Sequence, residues 1–210
     1  MGYSAHSTVN WKLYFATIKK STFSLYSAVN FFFAVLLPGY SLLIGDSTIF
    51  YLIYLYWWQE LLASAIEGIY YAKNREAYPE ISTNPFWARL FLLFVYFVFI
   101  VIFFGLVSDW GSNLRIKKNL EIFLFKDVFF MINLVGLVMN DWLHKKSATQ
   151  KLIISNDPFK GRMMVMHISI ILGGATLFIG NTAWAGFPFL LIKAYMDFKQ
   201  QNREIKANIL

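Results

Sequence analysis

Two glutamates lie within one apolar stretch near the middle of the chain. Glu60 and Glu67 are seven residues apart, so on a helix they share one face and lie two turns from each other. A carboxylate inside a membrane span is costly, usually faces the protein interior and is by default a candidate for function. The alternative for Glu67 is a place at the membrane interface, because Lys73 follows it closely. The neighbouring Gly68 would let another helix approach.

A second set of polar residues lies in the last apolar stretches. His167 is either a hydrogen-bond partner between helices or a metal ligand, haem ligand or proton carrier. Lys193 and Asp197 are four residues apart, so they can pair on one helix face, or else snorkel together to the interface. On the predicted topology, Glu67, Arg162, His167, Lys193 and Asp197 fall toward one half of the membrane, and Glu60 lies deeper. We therefore predict one intramembrane polar cluster, formed by Glu60, Glu67, Arg162, His167, Lys193 and Asp197.

A second polar pair interrupts another apolar stretch. Lys126 and Asp127 are adjacent, so on a helix they point about 100° apart and cannot pair well with each other. One interpretation pairs Lys126 with Glu60 and lets Asp127 face a cavity. The other has the span begin later, which leaves both residues at the outer interface.

Standard catalytic motifs are missing from the sequence, which has no G-x-S-x-G, H-E-x-x-H, P-loop or G-x-G-x-x-G. The absence of cysteine excludes disulfides, thiolate catalysis, iron–sulfur ligation and cysteine-based zinc sites. Glu60 and His167 are candidate ligands for iron, zinc or manganese, with Glu67 as a further carboxylate. A bis-histidine haem would need His144 together with His167. The sequence leaves the identity of any metal or cofactor open.

The composition indicates what must position these residues. Of the 210 residues, 58% are hydrophobic, 20% aromatic and only 15% charged. An average soluble domain carries about 25% charged residues, and over half of its surface must face water. A soluble enzyme, a secreted disulfide scaffold and a disordered regulator are therefore poor fits. We predict an all-α fold, a polytopic bundle of transmembrane helices.

Six stretches are candidates for membrane spans, each of which needs about 20 mainly apolar residues. Their approximate bounds are 22–44, 47–72, 85–107, 120–143, 163–179 and 183–198. The last two are short and suggest a tight helical hairpin. The run from Phe91 to Phe104 is apolar at every position, which argues against a β-barrel. We expect a single membrane domain over 1–210, with an N-terminal segment 1–21, a core 22–198 and a tail 199–210.

The loop charges predict an orientation. On this topology, 14 of the 19 lysines and arginines lie on the side that holds both termini. Since cytoplasmic loops carry an excess of positive charge, both termini are predicted to be cytoplasmic. A bacterial inner membrane, or an organelle equivalent, fits best. The net charge of +7 then needs no nucleic-acid partner, only a face next to the lipid bilayer.

Three short motifs are similar to those of a known family. They are a W-x-E in an early span, an R-x4-H that opens a late span and a closing K-x3-D, found here as Trp58-Gln59-Glu60, Arg162 to His167 and Lys193 to Asp197. In these residues the chain resembles a bacterial integral-membrane family called domain of unknown function 6498. The resemblance implies a membrane fold and favours Glu60, Arg162, His167, Lys193 and Asp197 as one set. It implies no reaction.

Three functions are compatible with these features. The first is a non-catalytic accessory or scaffold subunit, bound to other membrane subunits or to itself; short loops and the missing motifs favour it. The second is an intramembrane enzyme or a redox or metal protein centred on Glu60 and His167. The third is a proton or small-solute transporter, with Pro38 and Pro188 as helix breaks, although inverted repeats are absent. We favour the first because it requires no catalytic, metal-binding or transport site in the sequence.

Overall fold

Helices account for the regular secondary structure of the described chain. The computed structural model describes residues 25, 28–44, 47–81, 84–147, 162–176, 186, 188–196 and 199. Within these ranges no residue lies in a β-strand, which agrees with the predicted all-α class. The helices are α1 (Ala28–Leu43), α2 (Ile49–Lys73), α3 (Pro85–Val107), α4 (Asn113–Phe123), α5 (Val128–Ser147), α6 (Arg162–Thr176) and α7 (188–196).

Local signals in the sequence set where several helices begin. The Thr48 hydroxyl accepts a hydrogen bond from the backbone N–H of Tyr51 at 3.3 Å and caps α2. Asn84 accepts from Phe86 N–H at 3.1 Å, and Pro85 follows at the first position of α3. Both arrangements satisfy backbone donors that a helix start otherwise leaves unpaired.

Two helices contain π-helical segments. Phe32–Leu36 lies within α1, and Ile100–Val107 forms the second part of α3. A π-helical segment shifts the carbonyls of the preceding turn away from their usual partners, and such segments recur at functional positions. In α1 the carbonyl of Ala34 accepts a hydrogen bond from the Tyr56 hydroxyl at 2.9 Å, so this segment is tied to α2.

Three stretches of the described residues are long and apolar enough to cross a membrane. They are Ile49–Lys73, Pro85–Val107 and Asn113–Leu143. The first two agree closely with the predicted spans 47–72 and 85–107. Among the described residues, α1 is apolar but shorter than a span, and α6 and α7 fall on the predicted spans 163–179 and 183–198, whose other residues lie outside the described part of the chain. The three long stretches suggest a membrane protein.

The predicted span 120–143 falls within the third stretch, but the structure interrupts it. Helix α4 ends at Phe123 and α5 begins at Val128. Between them Phe125 adopts a positive φ of 59°, a conformation that ends a helix. Asp127 then caps α5 by accepting a hydrogen bond from Phe130 N–H at 2.7 Å. The polar pair therefore lies in the turn between α4 and α5 and not within a helix.

Helix α2 forms the centre of the described bundle. It packs against α3, α4, α5 and α6, and every residue from Ile49 to Trp57 is buried. Tyr54 lies in an aromatic cluster, stacked at 5.1–6.0 Å on the rings of its neighbours Phe50, Trp57, Phe123 and Phe130. The turn between α4 and α5 is thereby packed against the first half of α2.

Candidate functional site

Glu67 forms an ion pair between α2 and α3. The Arg89 Nη1 donates to Glu67 Oε2 at 2.6 Å, and the two side chains are 9% and 20% exposed. Arg89 is buried in α3 and is not a loop cation. The neighbouring Gly68 allows this contact, because a Cβ atom there would lie 2.7 Å from the Cβ of Phe86. The predicted close approach at Gly68 is confirmed.

Glu60 is buried on the same helix, with 6% of its surface exposed. The Ser64 hydroxyl, one turn further along, donates to Glu60 Oε1 at 3.3 Å. One turn before Glu60, the ring of Tyr56 lies 5.5 Å from the ammonium nitrogen of Lys193 on α7. Lys193 is only 4% exposed, so its ammonium group is buried over an aromatic ring. Tyr56, Glu60, Ser64 and Lys193 are called the Glu60 cluster below.

His167 contacts α3. Its Nδ1 and the hydroxyl of Tyr96 are hydrogen-bonded at 2.9 Å, while the imidazole is otherwise exposed on α6. The hydrogen-bonding role considered for His167 therefore has a partner on another helix. Arg162 is the first residue of α6, but its side chain lies outside the described part, as does Asp197.

The predicted polar cluster is thus distributed over three kinds of contact. Glu67 pairs with Arg89, Lys193 lies over the Tyr56 ring and His167 bonds to Tyr96. Each contact joins α2 or α3 to another helix. Among the described residues there is no group of three or more His, Asp or Glu side chains that could hold a metal ion. The proposed metal ligands Glu60 and His167 remain a prediction.

The second polar pair separates into two different environments. Asp127 is buried and pairs with Lys118 of α4, with 2.9 Å between Oδ2 and Nζ. Lys126 is exposed in the turn. The structure therefore pairs Asp127 with Lys118 rather than with a group on α2, and the place of the pair relative to the membrane interface stays a prediction. The role of Asp127 is to cap α5 and to hold α4 against it.

A buried polar network that the sequence analysis did not identify joins the start of α2 to the end of α3. Asn119 of α4 is 2% exposed, and its amide donates to Asp109 Oδ2 at 2.8 Å and to the Gly105 carbonyl at 3.1 Å. Its carbonyl oxygen accepts from the Thr48 hydroxyl at 2.6 Å. No sequence signal indicated this network, because the charged residues Lys117, Lys118 and Glu121 flank Asn119 and make it look like a surface residue.

Chemically, the Glu60 cluster is the best-formed candidate site in the described chain. It brings together a buried carboxyl, a hydroxyl, a phenol and an ammonium group from α2 and α7. Such groups can hold or transfer a proton, or they can fasten two helices together, since buried charges are costly unless compensated.

Comparison with known proteins identifies a family. The profile of a family described as "Family of unknown function (DUF6498)" matches residues 17–208, which is nearly the whole chain. No curated protein and no solved structure matches it. The chain belongs to this family, and the resemblance seen in the three short motifs is confirmed.

Proposed function

We propose that this member of the family is a non-catalytic accessory or scaffold subunit of a bacterial inner membrane. In this proposal it crosses the bilayer six times and has both termini in the cytoplasm. It acts by binding other membrane subunits or further copies of itself. The loop charges support the orientation, because most lysines and arginines fall on one side of the predicted topology.

The proposal rests on the contacts that the polar groups within the predicted spans make. Glu67, Lys193 and His167 each contact a side chain on a different helix of the same chain. Groups engaged in this way stabilise the bundle, and their cost in the bilayer is offset by their partners. A broad apolar surface is then available to bind lipid or another helix.

A proton-transporting role is the second candidate, and the Glu60 cluster favours it. A buried carboxyl beside a serine hydroxyl, with an ammonium group one turn away, resembles in its chemistry a proton-binding site. The two candidates differ in what happens when Glu60 loses its charge. A transporter loses flux, whereas a scaffold keeps its associations if the fold survives.

One experiment separates the two candidates. The tagged chain is extracted in polymer-bounded native nanodiscs, and the particle mass is measured by native mass spectrometry. In parallel, the purified protein is reconstituted in vesicles that contain a pH-sensitive dye. We expect a defined assembly heavier than the 24.4 kDa chain, unchanged in Glu60→Gln, and no protein-dependent proton flux. A monomeric particle together with a flux that Glu60→Gln abolishes would overturn the proposal in favour of transport.

A further inference from the structure

Helix α4 is held rigidly along one side. Asn119 bonds to Asp109, to the Gly105 carbonyl and to Thr48, so α4 is attached to both the end of α3 and the start of α2. Ile122 is fully buried on the same side of the helix. Because a helix turns about 100° per residue, the opposite side of α4 must face outward.

The outward side of α4 mixes apolar and basic residues. Leu114 is 83% exposed and Leu120 is 53% exposed, and the exposed Lys117 lies between them at a spacing of three residues. Trp110, just before α4, is 82% exposed. Leucines and a lysine on one side of a helix, with an exposed tryptophan close to its start, are typical of a helix at a membrane surface, where the apolar groups enter the acyl boundary and the lysine reaches the headgroups.

The four basic residues of this region differ in their partners. Arg115 lies 3.5 Å from Asp109, and Lys118 lies 2.9 Å from Asp127. Lys117 and Lys126 are exposed, and in the described part of the chain neither takes part in an ion pair. Two lysines at one end of the bundle are therefore available to an external anion.

We propose that α4 and the turn after it form a binding surface for the headgroups of anionic phospholipids. Lys117 and Lys126 contact the lipid phosphates, and Trp110, Leu114 and Leu120 lie at the boundary with the acyl chains. Charge complementarity selects an anionic lipid, and the exposed apolar side chains select a lipid over free phosphate. The inference rests on the proposed function only in requiring that the protein is embedded in a membrane.

The test uses the full-length protein, purified in detergent and titrated with phosphatidylglycerol, with bound lipids counted by native mass spectrometry. Each lysine near a membrane surface adds about 1 kcal/mol to the attraction of anionic lipid, so we expect the loss of two lysines in Lys117→Gln/Lys126→Gln to weaken binding about thirtyfold. The charge-preserving Lys117→Arg/Lys126→Arg variant should bind as the wild type does. Inorganic phosphate at the same concentration should not compete.

A matched control removes the same charge elsewhere. Lys73 and Lys199 are also exposed, and Lys73→Gln/Lys199→Gln should leave most of the binding intact. The proposal is overturned if Lys117→Gln/Lys126→Gln binds as tightly as the wild type, or if the control variant weakens binding equally. Wild-type incorporation into vesicles is measured first. Failure to incorporate counts against the proposed membrane function, whereas incorporation without lipid preference counts only against this inference.

Discussion

Helices α2 and α3 pack side by side, but they differ in opposite directions in how apolar and how deeply buried they are. Of the three long apolar stretches, α2 has the lowest mean hydropathy and α3 the highest. In the most apolar 18 residues of each, 72% are buried in α2 and only 28% in α3. The less apolar helix is therefore the more deeply buried one. In a water-soluble bundle, where apolar surface is driven inward, the opposite order is expected.

The polar residues of the two helices explain this order. Glu60, Gln59 and Ser64 of α2 are buried, and α3 contributes a narrow buried stripe at intervals of three and four residues. That stripe includes both Arg89 and Tyr96, while phenylalanines such as Phe91 and Phe94 point outward. Polar groups that hold helices together and apolar groups that face outward are the arrangement suited to lipid as solvent.

The ion pair between the two helices gives the largest expected effect. Arg89→Met removes the cation next to Glu67, and removal of one partner of a buried pair leaves an uncompensated charge. We expect the free energy of unfolding to fall by about 3–4 kcal/mol. The measurement is the free energy of unfolding of the variant and the wild type in bicelles, monitored by circular dichroism.

The neutral double variant Glu67→Gln/Arg89→Met is the control for that experiment. It removes both charges, so it should be more stable than Arg89→Met alone. Equal losses in the two variants would contradict this expectation, because they would indicate that an unpaired Glu67 carboxylate carries no cost.

The positions of α2 and α3 could be predicted because their signals are local. A run of about 20 apolar residues marks a span, and Asn84 followed by Pro85 marks where α3 begins. The break between α4 and α5 was missed because apolar residues flank Lys126 and Asp127 on both sides. Asp127 before an apolar run is itself a helix-start signal, but its ion pair with Lys118 across the turn depends on the fold.

Two members of the Glu60 cluster, Glu60 and Lys193, could be selected from the sequence, whereas Tyr56, Ser64 and the contacts among these residues could not. The cost of a charge in lipid identified Glu60 and Glu67 from the sequence alone. Their neighbours lie on other helices, and periodicity on one helix carries no information about which residue of another helix comes opposite. Tyr96 as the partner of His167, and Tyr56 beneath Lys193, therefore required the packed structure.

Two adjacent residues of α3 test the comparison at the level of single side chains. Leu93 is fully buried against α2, whereas Phe94 is 61% exposed. Leu93→Ala should cost about 3 kcal/mol, because it removes buried methyl groups and leaves a cavity. Phe94→Ala should change stability by less than about 0.5 kcal/mol, since a surface side chain makes few contacts. Unfolding of both variants in the same bicelles decides the matter, and equal losses would contradict the assignment of inner and outer faces.

Gly68 and Gly174 give the smallest contrast and test whether α2 and α3 need their close approach. A Cβ atom at Gly68 would lie 2.7 Å from Phe86 Cβ, so Gly68→Ala should push the helices apart and cost about 1–2 kcal/mol. At Gly174 of α6 an added Cβ meets nothing within 4 Å, so Gly174→Ala should cost nothing and can gain up to about 1 kcal/mol from helix propensity. The same unfolding measurement applies to both variants.

A Gly68→Ala variant as stable as the wild type would mean that α3 can shift along α2 without loss of stability. The Glu67–Arg89 ion pair would then be the main determinant of their register.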